Sequence, residues 1–191
     1  MTLISRLVFF DNKRQVKEYP LDKIELNETS IVIPVKDNQE GIENYLHALF
    51  ETHQNGNMPK EVIIVDNNSA IPISIKQWEK KGNLAIRLLQ CSKRGAAAAR
   101  NMGVKHAVGK WVLFNDSDCI PTSSLLTGYL NAENGAVAYA GNVLSLGNDR
   151  LSRYYETQEI LVPLKVYDDD RGFVPQYLIT ANCLIWRDAF L

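Results

Sequence analysis

Apolar residues along the chain alternate between two patterns. Short, β-branched runs stand at Ser30-Ile31-Val32-Ile33-Pro34-Val35, Glu61-Val62-Ile63-Ile64-Val65, Ala85-Ile86-Arg87-Leu88-Leu89 and Trp111-Val112-Leu113-Phe114. Runs of this length with little polar alternation predict strands buried on both faces. Between the first two, Ile42, Tyr45, Leu46, Leu49 and Phe50 recur at i, i+3, i+4, i+7 and i+8. That spacing predicts one buried helix face, with Gly56-Asn57 and Pro59 marking its exit. A short helix is predicted around Ile73 to Lys80, with Ile75 and Trp78 turned inward. Gly95 to His106 carries four successive alanines and predicts a helix with a small, close-packing face. A helix from Ser123 to about Asn131 and a strand from Ala136 to Val143 complete five units.

Strands alternating with helices predict a mainly parallel α/β sheet covered on both faces. Crossovers in such sheets are right-handed, so the strand-to-helix loops collect along one edge. Ligands of open α/β sheets bind at that edge, beyond the carboxyl ends of the strands. Here those ends carry Pro34-Val35-Lys36-Asp37, Asp66-Asn67-Asn68-Ser69, Ser92-Lys93-Arg94 and Asp116-Ser117-Asp118. Beyond Gly147 the pattern changes. Leu151, Tyr154, Tyr155, Ile160 and Leu161 suggest a helix, Asp168 to Gly172 a charged loop, and Tyr177 to Trp186 a strand. Arg187 to Leu191 reads as the opening of a further helix. Residues 1–28 show mixed charge and little periodicity and are expected to form an extension ahead of one domain spanning 29–191.

Composition narrows the partners. The chain has 191 residues, 46% hydrophobic and 23% charged, with a formal net charge of -1. This suits one globular α/β domain and supplies no domain-wide basic field for nucleic acid. Cys91, Cys119 and Cys183 are scattered, with no CxxC pair, which fits a reducing compartment better than a disulfide framework or zinc site. The apolar run near Met1 to Phe10 is interrupted by Arg6 and too short to span a membrane. A cytoplasmic chain is expected, with peripheral attachment at the inner membrane face left open.

Asp116 and Asp118 carry the strongest chemical signal. One intervening residue at a strand end lets both carboxylates approach a single hard cation, and Mg²⁺ or Mn²⁺ keeps open positions for phosphate oxygens. The competing role for Asn115-Asp116-Ser117-Asp118 is a polar turn. Asp66, ending the second strand, suits either a hydrogen bond to a base or ribose or a cap on the following turn. Arg100 suits a phosphate or carboxylate partner, or a salt bridge fixing its helix to the sheet. Lys93 and Arg94 stand where a helix N-terminus would favour phosphate, or are solvated. Gly95 and Gly103 form no GxGxxG pattern and no GxxxxGK[ST] occurs, which argues against dinucleotide and P-loop sites. His47, His53 and His106 have no partners at metal-ligand spacing, and no Ser/His/Asp or Cys/His set is evident.

Taken in order, these segments resemble the family 2 glycosyltransferases, which have the GT-A fold. Thr29 to Asn38 is similar to the family's first strand and nucleotide loop, and Glu61 to Ser69 to the strand ending in its base-recognising aspartate. Gly95 to Gly103 with Ala107 to Trp111 resembles the helix leading to the metal strand, and Asn115 to Asp118 its Asp-x-Asp. Thr180 to Phe190 is similar to the segment before the family's Gly-Gly-Phe-Asp/Glu motif. The chain differs in having Asn67, Cys119 and Lys93 at positions often occupied otherwise. The resemblance implies a GT-A sandwich, Rossmann-like, that transfers sugar from a UDP- or GDP-sugar to an acceptor hydroxyl of a glycan or glycolipid, with inversion. It implies nucleotide-sugar contacts at Pro34, Val35, Lys36, Asp66, Asn68, Lys93, Arg94, Arg100, Asn115, Asp116 and Ser117. Mn²⁺ or Mg²⁺ is implied at Asp116 and Asp118, and a general base beyond Leu191. The alternatives are a non-catalytic or truncated nucleotide-sugar-binding module and, with less support, a sugar nucleotidyltransferase, which needs a glycine-rich loop after the first strand.

Overall fold

The computed structural model describes residues 23–52, 58–79, 82–132, 135–168 and 172–191. A 3-10 turn at Leu26–Glu28 leads into β1 (Thr29–Val35), which is buried at every position, as its unbroken apolar run requires. Helix α1 (Gln39–Thr52) buries Ile42, Tyr45, Leu46, Leu49 and Phe50, the face predicted from their spacing. β2 (Glu61–Asp66), β3 (Ala85–Gln90), α2 (Ala96–His106) and β4 (Trp111–Asn115) follow. Then come α3 (Leu125–Asn131), β5 (Ala138–Ala140), α4 (Arg150–Thr157), β6 (Lys165–Asp168), β7 (Gly172–Pro175), β8 (Asn182–Trp186) and α5 (Arg187–Phe190).

The main sheet has the order β3-β2-β1-β4-β8-β5. β1 to β4 pair in parallel, while β8 runs antiparallel to both β4 and β5. The fold is therefore α/β with a mostly parallel six-stranded sheet. One core layer joins Ile31, Ile33, Val62, Ile64 and Leu113 to α1 and Trp78. The opposite layer joins Val32, Ile63, Val65, Val112 and Phe114 to Ala99 and Val104 of α2. Its small face lets α2 lie close: a Cβ on Gly103 would run into the Val32 side chain.

Several expected elements differ. Residues 73–79 do not form the predicted helix, whose last residue, Lys80, lies outside the described residues. Residues 76–79 make a turn, with Trp78 N donating to Ile75 O, although Ile75 and Trp78 are buried as expected. Side chains capture this backbone: Ile73 N donates to Asp66 Oδ2, while Ser74 N and O bond both ends of the Gln39 amide. The predicted 136–143 strand contracts to Ala138–Ala140, and the 177–186 strand to Asn182–Trp186. The chain leaves the sheet after β5 and returns at β8, which inserts between β4 and β5 and runs antiparallel to both. The expected loop at Asp168 to Gly172 joins the β6–β7 hairpin, and its tip lies outside the described residues. The Gly56-Asn57 helix exit and His53 also lie outside them, as do residues 1–22 of the expected extension. Ile24 is buried in the core and Trp111 Nε1 donates to Lys23 O. Among the described residues, no helix is long and apolar enough to cross a membrane.

At the amino end of the sheet, Glu61 is 2% exposed and fully engaged. Ser30 Oγ, Arg87 Nη1 and the Val108 amide all donate to its carboxylate at 2.7–2.8 Å. Burial pushes this carboxyl up, but the bonds from Val108, Arg87 and Ser30 outweigh it and hold the group below its usual value. A lowered folded-state value stabilises fully above the unfolded value and is lost as pH falls through the folded one. Glu61→Gln is accordingly expected to cost about 3 kcal/mol near neutral pH, the scale for breaking a buried charged cluster. It should also flatten the loss of stability below the ordinary glutamate value of 4.5. Urea midpoints measured from pH 7 to 3 check both, and parallel curves for the variant and the wild type would contradict the linkage.

Candidate functional site

Four strand ends meet along the carboxyl edge, and side chains stitch them together in the order of the strands. The β2 end bonds the β3 end through Asn67, whose Nδ2 donates to Cys91 O and Lys93 O while its Oδ1 accepts from Gly95 N at 2.7 Å. Asn68 Nδ2 adds a bond to Ser92 O. The β1 end bonds the β2 end through Asp37, whose amide donates to Ser69 Oγ and whose Oδ1 accepts from Ala70 N. Asp37 and Asn68 have φ of 52° and 60°, a left-handed conformation that Asn and Asp tolerate better than other side chains. The β1 end reaches the β4 end through Asn38. Its Nδ2 donates to Ser117 O and Oγ, and its Oδ1 caps α1 by accepting from Gly41 N.

Asp116 and Asp118 occupy the turn this tether holds. Asp116 Oδ1 accepts from Arg100 Nη2 at 2.5 Å, with the Asp116 side chain 34% and that of Arg100 14% exposed. For Arg100 the structure shows the salt bridge, which ties α2 to the end of β4. Asp118 is exposed and Ser117 half-buried. Beside them, burial first and then the nearby Asp118 and Asp116 charges push the Cys119 thiol up to about 11, so this position adds no charge near neutral pH. Among the described residues, no three His, Cys, Asp or Glu side chains cluster to hold a metal by themselves.

The other candidate residues divide sharply. Lys36, Asn68, Lys93 and Arg94 are exposed at the rim, where an anionic ligand can meet them. Pro34 and Val35 lie buried inside β1, and Val35 O already accepts from Asn67 N, so side-chain contact to a nucleotide is closed to both. Asn115 likewise faces the interior and not a ligand. It is 3% exposed, accepting from Tyr45 OH and donating to Ala181 O. It ties β4 to α1 and to the segment entering β8, and its burial keeps the carboxamide from a ligand. Asp66 takes the capping role. It is 1% exposed and accepts from Ser69 N, Ile73 N and Gln90 Nε2. Burial raises its carboxyl, but the bonds from Ser69, Ile73 and Gln90 together leave it below the usual value.

Asn38, Gly41 and Asn67 organise the rim yet were not among the expected site residues. In the sequence Asn67 is visible only as a departure from the residue more often found there. The signal was its chemistry, since an amide both donates and accepts whereas a carboxylate here would face two carbonyl oxygens. Asn67→Asp is thus expected to cost about 1–3 kcal/mol by leaving those carbonyls unpaired, and to loosen 91–95. Thermal melts and amide hydrogen exchange of that loop measure it. An unchanged melting temperature would remove Asn67 from this role. Beside Asp37, a cleft of about 750 Å³ opens between the first turn of α1 and residues 70–77, lined by Gln39, Glu43, Ile71 and Pro72. It does not include Asp116 or Asp118.

Residues 30–191 match the model of Glycosyl transferase family 2. The chain is 38% identical over 96 residues to an uncharacterized glycosyltransferase of Rickettsia conorii, covering 49% of this chain and 15% of that protein. It is 30% identical over 94 residues to the poly(ribitol-phosphate) beta-N-acetylglucosaminyltransferase TarS of Staphylococcus aureus, covering 47% and 16%. The chain thus spans about 15% of the length of these curated relatives. Among solved structures, the mannosyltransferase PcManGT of Pyrobaculum calidifontis, in complex with GDP-Man and Mn²⁺, is similar with a TM-score of 0.59 at 19% identity. The match covers 90% of this chain and 49% of that one. Glucosyl-3-phosphoglycerate synthase of Mycobacterium tuberculosis, with Mn²⁺ and UDP-glucose, has a TM-score of 0.53 at 16% identity, over 84% and 56%. At these identities the likeness is one of fold.

Proposed function

The chain belongs to glycosyl transferase family 2, and on that premise we propose that its carboxyl-edge rim binds the diphosphate of a UDP- or GDP-sugar together with a divalent cation. The sugar would pass to an acceptor hydroxyl of a glycan or glycolipid with inversion at the anomeric carbon. The observation that carries the proposal is the Asp116-Ser117-Asp118 turn, fixed at the end of β4 by Asn38 and Arg100 and open to solvent at Asp118. TarS, a sugar-transferring relative over about half of this chain, supports the reaction class.

The donor set fits Mn²⁺ or Mg²⁺ under one condition. Two carboxylates do not make a closed metal site, but Mg²⁺ is commonly held by one or two carboxylates plus substrate phosphates and waters. Asp116 and Asp118 supply that protein half. When bound, the cation offsets the charge that grows on the departing diphosphate. Lys36, Lys93 and Arg94, exposed on the β1 and β3 ends, supply positive charge for phosphate or nucleotide. Asp66 serves the site indirectly, by shaping the 67–73 loop that presents Asn68, because its own oxygens are occupied. In the transfer itself, the acceptor oxygen bonds to the anomeric carbon as the bond to the diphosphate oxygen breaks, and a general base takes the hydroxyl proton. We assign that base to no residue of this chain.

Thermal melts against UDP- and GDP-sugars, each with Mn²⁺ or with EDTA, test the proposal. One nucleotide class should raise the midpoint in Mn²⁺ by several degrees and lose most of that rise in EDTA. No rise with any nucleotide sugar would count against it.

A further inference from the structure

We propose that Arg100 makes cation binding at Asp116 and Asp118 conditional on the diphosphate, by neutralising Asp116 until the nucleotide arrives. The inference rests on the diphosphate-binding role proposed above and adds a control to it.

The Arg100 guanidinium is not a loose surface charge. It projects from α2, whose Ala99, Gly103 and Val104 are buried against the sheet, with Gly103 backed onto Val32. Its side chain is 14% exposed. Its Nε is buried with no hydrogen-bond partner among the described residues. Asp116 is therefore the carboxylate that compensates a largely desolvated cation, through the Nη2 to Oδ1 bond. Drawing Asp116 away would leave that cation unpaired in a poorly hydrated place, which is costly. A divalent ion doing so would also bring two further positive charges next to it.

Without nucleotide, Arg100 cancels Asp116 and the turn presents essentially the single exposed carboxylate of Asp118, a poor match for a hard dication. A diphosphate brings several negative charges to the same rim. They compensate both the guanidinium and the incoming cation, so Asp116 can share its second oxygen without stranding Arg100. Metal and nucleotide are then coupled through a protein ion pair, in addition to their direct contact, and by linkage each tightens the other equally. This makes Arg100 a positioning residue.

Free Mn²⁺ measured by its electron paramagnetic resonance signal, during titration with and without UDP or GDP, tests the role. Wild type should bind Mn²⁺ at least tenfold more tightly with the nucleotide present. Arg100→Gln should bind Mn²⁺ without nucleotide about tenfold more tightly than wild type, the effect of removing one like charge a few ångströms from the ion, and so narrow the nucleotide effect. Arg100→Lys, which keeps the charge, should stay near wild type. A purely structural role for Arg100 would instead weaken Mn²⁺ binding in both states. Should circular dichroism show Arg100→Gln unfolded, Arg100→Met refills the buried volume and carries the same expectation. Arg100→Gln (or Arg100→Met) binding Mn²⁺ no tighter than wild type, while wild type keeps its nucleotide effect, overturns the role of Arg100 and leaves the diphosphate site standing. A wild type whose Mn²⁺ affinity ignores both nucleotides overturns the site and this control together.

Discussion

Asp118→Asn is expected to lower affinity for the cognate nucleoside diphosphate in Mn²⁺ by about a hundredfold, a loss of roughly 3 kcal/mol. The same substitution should leave metal-free affinity and stability nearly untouched, with the melting temperature within about 2 °C of wild type. The asymmetry follows from placement. Asp118 is exposed, so its charge is available to a cation and its removal costs the fold little. Asp116→Asn should separate from it by losing stability as well, about 2 kcal/mol, because it strands the buried Arg100 guanidinium. Calorimetric titration and thermal melts of both variants distinguish the two carboxylates. Equal nucleotide affinity for Asp118→Asn and wild type in Mn²⁺ would remove Asp118 from the site.

The second large effect is expected at Gly41→Ala, a position with no chemistry of its own. A Cβ there would overlap the Ser117 carbonyl oxygen and the Asn38 carboxamide. These are the two ends of the tether joining the β1 loop to the β4 turn. Neither neighbour can yield cheaply, since one is backbone and the other caps α1. Overpacking of this kind costs about 1–3 kcal/mol, and here the displaced group carries Asp116 and Asp118. Gly41→Ala should therefore lose both stability and metal-dependent nucleotide affinity. Gly103→Ala provides the comparison, because its Cβ would meet Val32 in the core rather than the rim. It should lose stability while keeping the ratio of affinities with and without Mn²⁺. If Gly41→Ala keeps that ratio too, the tether does not set the turn.

What the sequence shows of this fold follows the range of the forces involved. β1, α1 and β4 are legible because apolar period and burial are local: the five residues spaced along α1 are the five it buries. The direction of β8 is not legible, since it depends on pairing Asn182–Trp186 with Trp111–Asn115, far apart in the chain. Residues 73–79 do not form a helix because Gln39 and Asp66 seize the Ile73 and Ser74 backbone groups from a distance. The same limit governs the site. Which strand ends would carry polar residues is visible from the pattern. Whether Asp66 and Asn115 face a ligand or the interior is decided by donors and acceptors on other elements, Gln90, Tyr45 and Ala181. Arg100 stands sixteen residues from Asp116, and only the packing of α2 across the sheet turns two open possibilities into one pair.

Calorimetric titration of the wild-type chain with UDP and with GDP, in Mn²⁺ and again in EDTA, tests the central claim most directly. One nucleotide should bind at least tenfold more tightly in Mn²⁺, and Asp118→Asn should abolish this gain. Binding that is equally tight in EDTA, or a metal gain that survives Asp118→Asn, would contradict a diphosphate site built on this carboxylate pair.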